Sequence, residues 1–329
     1  MGLDDTTSVE MLREMIAARH WSTRAFNLQR QGRAGTNAPV HGSEAIIVGT
    51  AHALDPTTDW VIPQYREPVG LHRFGPDVLD RYVLYLLGHP AGGHHPEGVN
   101  VFPISISLAT QIPHAVGLAW AKALRDEPGV VVVFFGDGST SEGDFYEAGN
   151  LAGVLGAPVI LCCVNNHWAI STPLARQTRA AAIADKAAGF GIPGVQVDGT
   201  DPVAVHEVMT VARERAVAGE GPTLVEAVTY RLHAHTTADD PTRYVPPEEL
   251  AEWQEKDPVD GFRATLRARG LWDDDAEDET MTWADARFDE ALEWAEAQVA
   301  EPADILTHAL VEPTPRMRRQ LDELGGGDR

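Results

Sequence analysis

Val130-Val-Val-Val-Phe-Phe-Gly-Asp-Gly-Ser139 is the stretch that decides the fold. Residues 130–135 are apolar without alternation, the pattern of a strand buried on both faces. Gly136-Asp137-Gly138 closes the run, and helical spacing follows over residues 141–155. A second apolar run, 158–164, ends in Asn165-Asn166, and shorter β runs lie at 195–197 and 223–230. Helical segments at 108–124 and from Asp201/Pro202 to about residue 218 alternate with them. The order predicts an α/β chain with a doubly wound, mostly parallel sheet covered by helices on both faces. Ligands of such sheets sit at the carboxyl ends of the strands.

Thr7-Ser8-Val9-Glu10 has the form of a capping box ahead of a helix reaching about residue 31. Ser43 is placed to cap a second helix through residue 54, and residues 77–87 make a third that Gly88 stops. Residues 88–100 are rich in Gly, His and Pro and read as a loop. After Tyr230 comes a polar stretch, 231–247, then helices near 258–269 and 282–300. Six acids in the seven positions 273–279 read as a solvated loop before the last helix. Residues 1–270 are expected to form the α/β domain, with 271–329 a helical extension.

Composition narrows the function. The 329 residues carry 26 basic and 49 acidic side chains, a net charge of −23, and 43% are hydrophobic. That apolar fraction excludes wholesale disorder, and the negative charge argues against a nucleic-acid partner. The apolar runs fall far short of the roughly 18 residues that span a bilayer, so no membrane association is expected. Residues 1–10 have no basic and apolar signal-peptide pattern, which predicts a cytoplasmic location. Cys162 and Cys163 are adjacent in a strand, pointing to opposite faces, and suit neither a zinc knuckle nor a CxxC. His89, His94 and His95 have no cysteine or carboxylate at zinc spacing.

The chemistry concentrates where two strands end. Adjacent parallel strands would bring Asp137 and Asn166 to the same sheet edge, a carboxylate and an amide oxygen of the hard type that Mg²⁺ takes. Gly136 and Gly138 let backbone approach a diphosphate, and a helix beginning near Ser141 adds its positive end. A dinucleotide GxGxxG would need glycine where Ser141 stands, and no GxxxxGK[ST] is present. A Gly-Asp-Gly turn after a strand is common by itself. Joined to the asparagine pair on the next strand it points to a metal–diphosphate site.

This constellation resembles the thiamine diphosphate signature. The similarity runs from about Met11 to Gln320 through five blocks in order: Leu28-Gln-Arg-Gln-Gly-Arg33, Pro63-Gln-Tyr-Arg-Glu67, Leu108-Ala-Thr-Gln-Ile-Pro113, Asn165-Asn-His-Trp-Ala-Ile-Ser-Thr172 and His235-Thr-Thr-Ala-Asp-Asp-Pro-Thr-Arg-Tyr244. The chain resembles the alpha subunit of the decarboxylating component of 2-oxo acid dehydrogenase complexes, most of all the branched-chain type. The resemblance implies oxidative decarboxylation of a 2-oxo acid and acyl transfer to a lipoyl group.

It further implies that Asp137, Asn166 and the carbonyl of Trp168 hold Mg²⁺. Gln64, Tyr65 and Arg66 would sit at the cofactor, with Tyr65 and Arg66 reaching the diphosphate and Gly136, Gly138 and Ser139 beside it. Leu108 would prop the bent cofactor, and His235 would be the catalytic residue, with His233 a weaker candidate. Arg231, Asp239, Asp240 and Tyr244 would order the loop that carries them. A potassium site near Ser105, Ser107, Thr110 and Gln111 is implied by the same alignment. The family often has a basic residue where Val164 stands, a serine at Ile106 and an arginine at Val245. The activating glutamate would come from a beta subunit in an assembly of two alpha and two beta chains that serves a lipoylated acyltransferase core. A pyruvate or acetoin dehydrogenase alpha subunit would share the cofactor residues, and a catalytically idle assembly subunit is the non-enzyme alternative.

Overall fold

The computed structural model describes residues 3–307 and 310–325. Met1, Gly2 and residues 326–329, the ends of the two segments expected from sequence, lie outside the described residues. Helices α1 (Asp5–Arg30) and α2 (Glu44–Ala53) precede strand β1 (Trp60–Ile62), which is followed by α3 (Asp77–Leu86) and α4 (Gln111–Leu124). Strand β2 (Val131–Gly136), helix α5 (Gly143–Leu155) and strand β3 (Val159–Asn165) come next. A two-residue ribbon, β4 (Trp168–Ala169) and β5 (Thr172–Pro173), leads into the single turn α6 (Leu174–Gln177). Then follow β6 (Gly194–Asp198), α7 (Pro202–Val217) and β7 (Thr223–Val228). The C-terminal part is helical: α8 (Pro247–Gln254), α9 (Pro258–Ala268), α10 (Asp274–Glu296), α11 (Asp304–Thr307) and α12 (Pro315–Glu323).

Five strands form one sheet in the order β1-β2-β3-β7-β6, every pair parallel. Chain progress from β1 to β3 moves one way across the sheet and β6 to β7 moves back. Right-handed crossovers therefore place α4 and α5 on one face and α7 on the other. The two faces bury separate cores. Phe134, Ile160 and Val225 look toward α1, α2, α7 and α10, whereas Phe135, Leu161 and Leu224 look toward α4 and α5. This is the doubly wound arrangement expected from sequence, and Cys162 and Cys163 divide between the two cores as alternation requires.

Several local expectations are corrected. Strand β1 was not foreseen, because Trp60-Val-Ile62 is too short to show a period. Helix α1 begins at Asp5, capped by Asp4, whose carboxylate accepts from Thr7 N at 2.8 Å; Thr7, the expected capping-box residue, is already inside it. Ser43 precedes α2, but its side chain makes no capping bond. Residues 137–141 are a 3₁₀ turn, so α5 starts at Gly143 and not at Ser141. The acidic run is no loop: Asp273 caps α10, and Asp274, Asp275 and Glu277 occupy its first turn, where they meet the positive end of the helix. Helix α10 lies on α1, with Trp21 Nε1 donating to the Ala284 carbonyl at 2.8 Å and Phe288 fully buried. Truncating such a phenylalanine costs about 3–5 kcal/mol, so this contact is a principal tie of the C-terminal helix. Among the described residues no helix is long and apolar enough to cross a membrane.

Candidate active site

Four segments leave the carboxyl ends of four neighbouring strands and meet. They are 63–66 after β1, 136–139 at the end of β2, 165–168 at the end of β3 and 229–235 after β7. A cavity of about 800 Å³ lies between them. Gln64, Tyr65, Arg66, Leu108, Gly136, Asp137, Gly138, Ser139, Asn166, Trp168 and His235 all line it. Strand β1 explains how Tyr65-Arg66 arrives there, since it is the edge strand beside β2.

Asp137 is 1% exposed. Burial raises its carboxyl to about 6, against bonds from Gln177 and its own backbone, the charge of Arg231 and a bond from the Asn166 backbone, which lower it. Gln177 Nε2 donates to Asp137 Oδ2 at 2.6 Å. Gln177 carries no motif in the sequence; only the fold of β4, β5 and α6 brings it over β2. Gly138 is needed for packing: a Cβ there would stand 2.8 Å from the Ala169 Cβ, so the ribbon presses directly on the Gly-Asp-Gly turn. Gly136 has an ordinary extended backbone and receives the Gln64 amide, whose Oε1 accepts from Gly136 N at 3.1 Å.

Asn166 and Trp168 are turned together by His167, whose φ of +70° is left-handed. Trp168 N donates to Asn166 Oδ1 at 3.3 Å, and the Trp168 carbonyl accepts from Arg231 Nη1 at 3.3 Å, which leaves that oxygen a second lone pair. Arg231 Nη2 also holds the Ile170 carbonyl at 2.9 Å and the Tyr244 hydroxyl at 2.7 Å. Tyr244 donates to Asp239, which accepts from His235 N at 2.9 Å. Asp240 is not part of that chain; it caps its own 3₁₀ turn by accepting from Thr242.

Arg66 Nη2 donates to His235 Nδ1 at 3.0 Å and to its carbonyl at 2.9 Å, while Nη1 donates to the Pro39 carbonyl at 2.6 Å. A guanidinium only donates, so Nδ1 is an acceptor and the neutral ring carries its proton on Nε2. Burial, then the charges of Arg66 and Arg231, lower His235 to about 3. The ring is therefore neutral near pH 7 and is a hydrogen-bond donor through Nε2, not a base. His233 does not line the cavity; it packs against Phe26 and His41.

Four buried polar atoms of the lining residues have no hydrogen-bond partner among the described residues: Asn37 Oδ1, Gln64 Nε2, Ser139 Oγ and Gln177 Oε1. Buried polar groups are ordinarily paired, so these mark where a polar ligand completes the site. The amide and hydroxyl donors suit an oxyanion. The Asp137 carboxylate, Asn166 Oδ1 and Trp168 carbonyl suit a hard cation.

Residues 12–303 match the family described as "Dehydrogenase E1 component". The chain belongs to that family. Among relatives of this E1 component chain are the "Pyruvate dehydrogenase E1 component subunit alpha" of Staphylococcus epidermidis and that of Staphylococcus aureus. Each is 43% identical over 280 residues, which is 85% of this chain and 75% of the relative. The branched-chain emphasis drawn from the sequence blocks is not what these relatives' names carry.

Departures from the family pattern resolve differently. Val164 lies in the core facing α1 and α2 and does not line the cavity, so a basic residue there would not point at a ligand from this backbone. Ile106, 60% exposed, does line it. Ser105 Oγ is 3.2 Å from Thr110 Oγ1, which donates to the Ser107 carbonyl at 3.1 Å, and Gln111 Oε1 is buried without a partner. Residues 88–100 do not line the cavity; the turn Pro90–Gly93 packs on α3, and His94 and His95 line a separate hollow of about 550 Å³. Tyr82, Tyr85 and Leu86 of α3, with Asn37, form a wall of the cavity that sequence reasoning missed, since a helix face read as core shows nothing of its outer rim.

Proposed function

We propose that the chain is the alpha subunit of a 2-oxo acid dehydrogenase E1 component, with pyruvate as the 2-oxo acid. The relatives named as pyruvate dehydrogenase alpha subunits support that substrate over the branched-chain one. The observation that carries the reading is one cavity lined by Asp137, Asn166 and Trp168 together with Gln64 and Ser139, whose buried donors are unpaired. Asp137, Asn166 and Trp168 would hold Mg²⁺, and Gln64, Tyr65, Ser139 and the turn at Gly138 would seat the diphosphate of thiamine diphosphate. That cofactor, when bound, supplies the electron sink for loss of CO₂.

The chain's own part is to bind, orient and donate. Arg66 holds the His235 ring through Nδ1, which leaves Nε2–H as the donor that a substrate oxygen would meet, and Tyr82 and Leu86 add buried wall to the same cavity. The lining carboxylates are Asp137, held by Gln177, and Glu142, exposed at the N-cap of α5. Neither is free inside the cavity, which supports an activating glutamate from a beta subunit and a site shared between two alpha and two beta chains. The acyl group would pass to a lipoylated acyltransferase core, in the cytoplasm. The oxygens of Ser105, Ser107, Thr110 and Gln111 would take K⁺.

A branched-chain substrate is the second reading, favoured by the Leu108–Pro113 block and by the run from His235 to Tyr244. The test is CO₂ release from pyruvate and from 3-methyl-2-oxobutanoate, with thiamine diphosphate, Mg²⁺ and an artificial electron acceptor. The chain is assayed alone and co-expressed with its beta partner. Activity only with the partner, faster on pyruvate, is expected. Faster turnover of the branched acid would select the second reading, and full activity from the chain alone would overturn the shared site.

A further inference from the structure

Glu226 is a carboxylate in the middle of the sheet, on β7 and 1% exposed, and it does not line the cavity. Its two oxygens are divided. Oε1 accepts from Asn165 Nδ2 at 2.7 Å, and Oε2 accepts from Ala184 N at 3.0 Å and Gln196 Nε2 at 3.1 Å. Asn165 is the last residue of β3 and the neighbour of Asn166.

A side-chain amide has a donor end and an acceptor end, and a carboxylate only accepts. Glu226 therefore decides which way Asn165 faces. With Nδ2 committed to Glu226, Oδ1 is turned to the following residues, where it accepts from His167 N at 3.2 Å. His167 is the left-handed residue of the turn, a conformation that costs a residue other than glycine about 1–3 kcal/mol unless its surroundings hold it. The Asn165 carbonyl is tied as well, accepting from Thr229 N at 2.9 Å.

We propose that Glu226 is a positioning residue for the metal–diphosphate site: by fixing the orientation of the Asn165 amide it holds the 165–168 turn that presents Asn166 and the Trp168 carbonyl. The inference rests on the thiamine diphosphate reading of the cavity. Residues behind metal ligands typically govern about 10–100-fold in metal affinity.

Glu226→Gln has nearly the same shape but offers one oxygen and one amide. Its oxygen can satisfy Ala184 and Gln196 only by presenting its NH₂ to Asn165, which then flips and loses the bond to His167 N. Adding Asn165→Asp restores the pattern, because an aspartate accepts on both sides, and the pair keeps the original net charge. The measurement is binding of thiamine diphosphate by calorimetry as Mg²⁺ is titrated, on the full chain co-expressed with its beta partner, with folding followed by circular dichroism.

E226Q is expected to raise the Mg²⁺ needed for half-maximal binding about 10-fold or more. The E226Q/N165D pair should return it to within about 3-fold of the parent, and Gln196→Ala, which removes only the other partner, should leave it unchanged. Parent-like binding by E226Q, or a folded double variant no better than E226Q, overturns the proposal. If E226Q is not recovered folded, the double variant decides by the same criterion. Absence of Mg²⁺-dependent binding in the parent would instead bring down the cofactor reading itself, and this inference with it.

Discussion

Arg66 grips His235 at two points, its Nη2 reaching both the ring Nδ1 at 3.0 Å and the backbone carbonyl at 2.9 Å. The same guanidinium lines the cavity in which the resemblance places a diphosphate. In this fold two of its donors set the tautomer and position of the candidate catalytic ring, and Nη1 is tied to Pro39. Arg66→Lys cannot reproduce that fork, since an ammonium is one point of charge. The substitution should cost about 2–3 kcal/mol in urea denaturation from lost buried charged hydrogen bonds. It should also lower kcat more than it weakens cofactor binding.

His235→Ala removes the Nε2 donor and leaves the metal-facing oxygens in place. Lipoyl acylation is expected to fall about 10²–10³-fold while thiamine diphosphate still binds. Unchanged acylation would identify the chain as an idle assembly subunit.

Asp137→Asn separates the cost of the buried carboxylate from its use. Burial raises this group to about 6, so its charged form near pH 7 is unfavourable without a cation. The apo chain should melt higher as the asparagine variant. The parent gains roughly 2.7 kcal/mol from ligand at one hundred times Kd, and that gain should vanish in the variant. Parallel thermal melts with and without Mg²⁺ and cofactor give both quantities.

Acidification should destabilise the fold between pH 6.5 and about 3. Burial, then nearby positive charge, lowers both His41 and His235 to about 3. Over that window the unfolded histidines bind protons that the folded ones refuse, so their contribution, complete above pH 6.5, is lost as pH falls. Asp137 acts in the opposite sense, because its raised group is more easily protonated in the folded chain below about 6. Burial also lowers His72, His95, His167, His206 and His233 and raises Glu67, so seven histidines against two carboxylates predict a melting temperature that falls from pH 7 to pH 5 in apo protein. A flat or rising profile would contradict this assignment.

Gly42→Ala tests the loop that backs the site. Gly42 has φ +96°, and a Cβ there would stand 2.0 Å from the Tyr230 carbonyl oxygen. Its own carbonyl accepts from the Thr229 hydroxyl at the exit of β7. Strain and overlap together should cost about 3 kcal/mol or more in chemical denaturation, with loss of cofactor binding as the segment carrying His235 shifts.

The strands that bear Asp137 and Asn166 were legible because a strand buried on both faces must be apolar throughout, and glycine or asparagine must end it. Strand β1 was not, because three residues hold less than two periods. The acidic start of α10 was misread for a related reason: charge says a segment meets water, and a helix N-terminus and a loop meet water equally. Gln177 and Glu226 left no mark at all, since a single polar residue in a turn or strand has no pattern.

The residues alone determined the parallel α/β core, the edge of the sheet on which the chemistry gathers and the kind of ligand those side chains suit. Each follows from the local alternation or continuity of apolar residues and from the chemistry of the groups that end the strands. Only the tertiary structure decided what each group is committed to: Arg66 to His235, Gln177 to Asp137, Glu226 to Asn165, and Val164 to the core. Those partners come from elements distant in sequence. A hydrogen bond's direction and a buried charge's cost depend on what the fold places beside them.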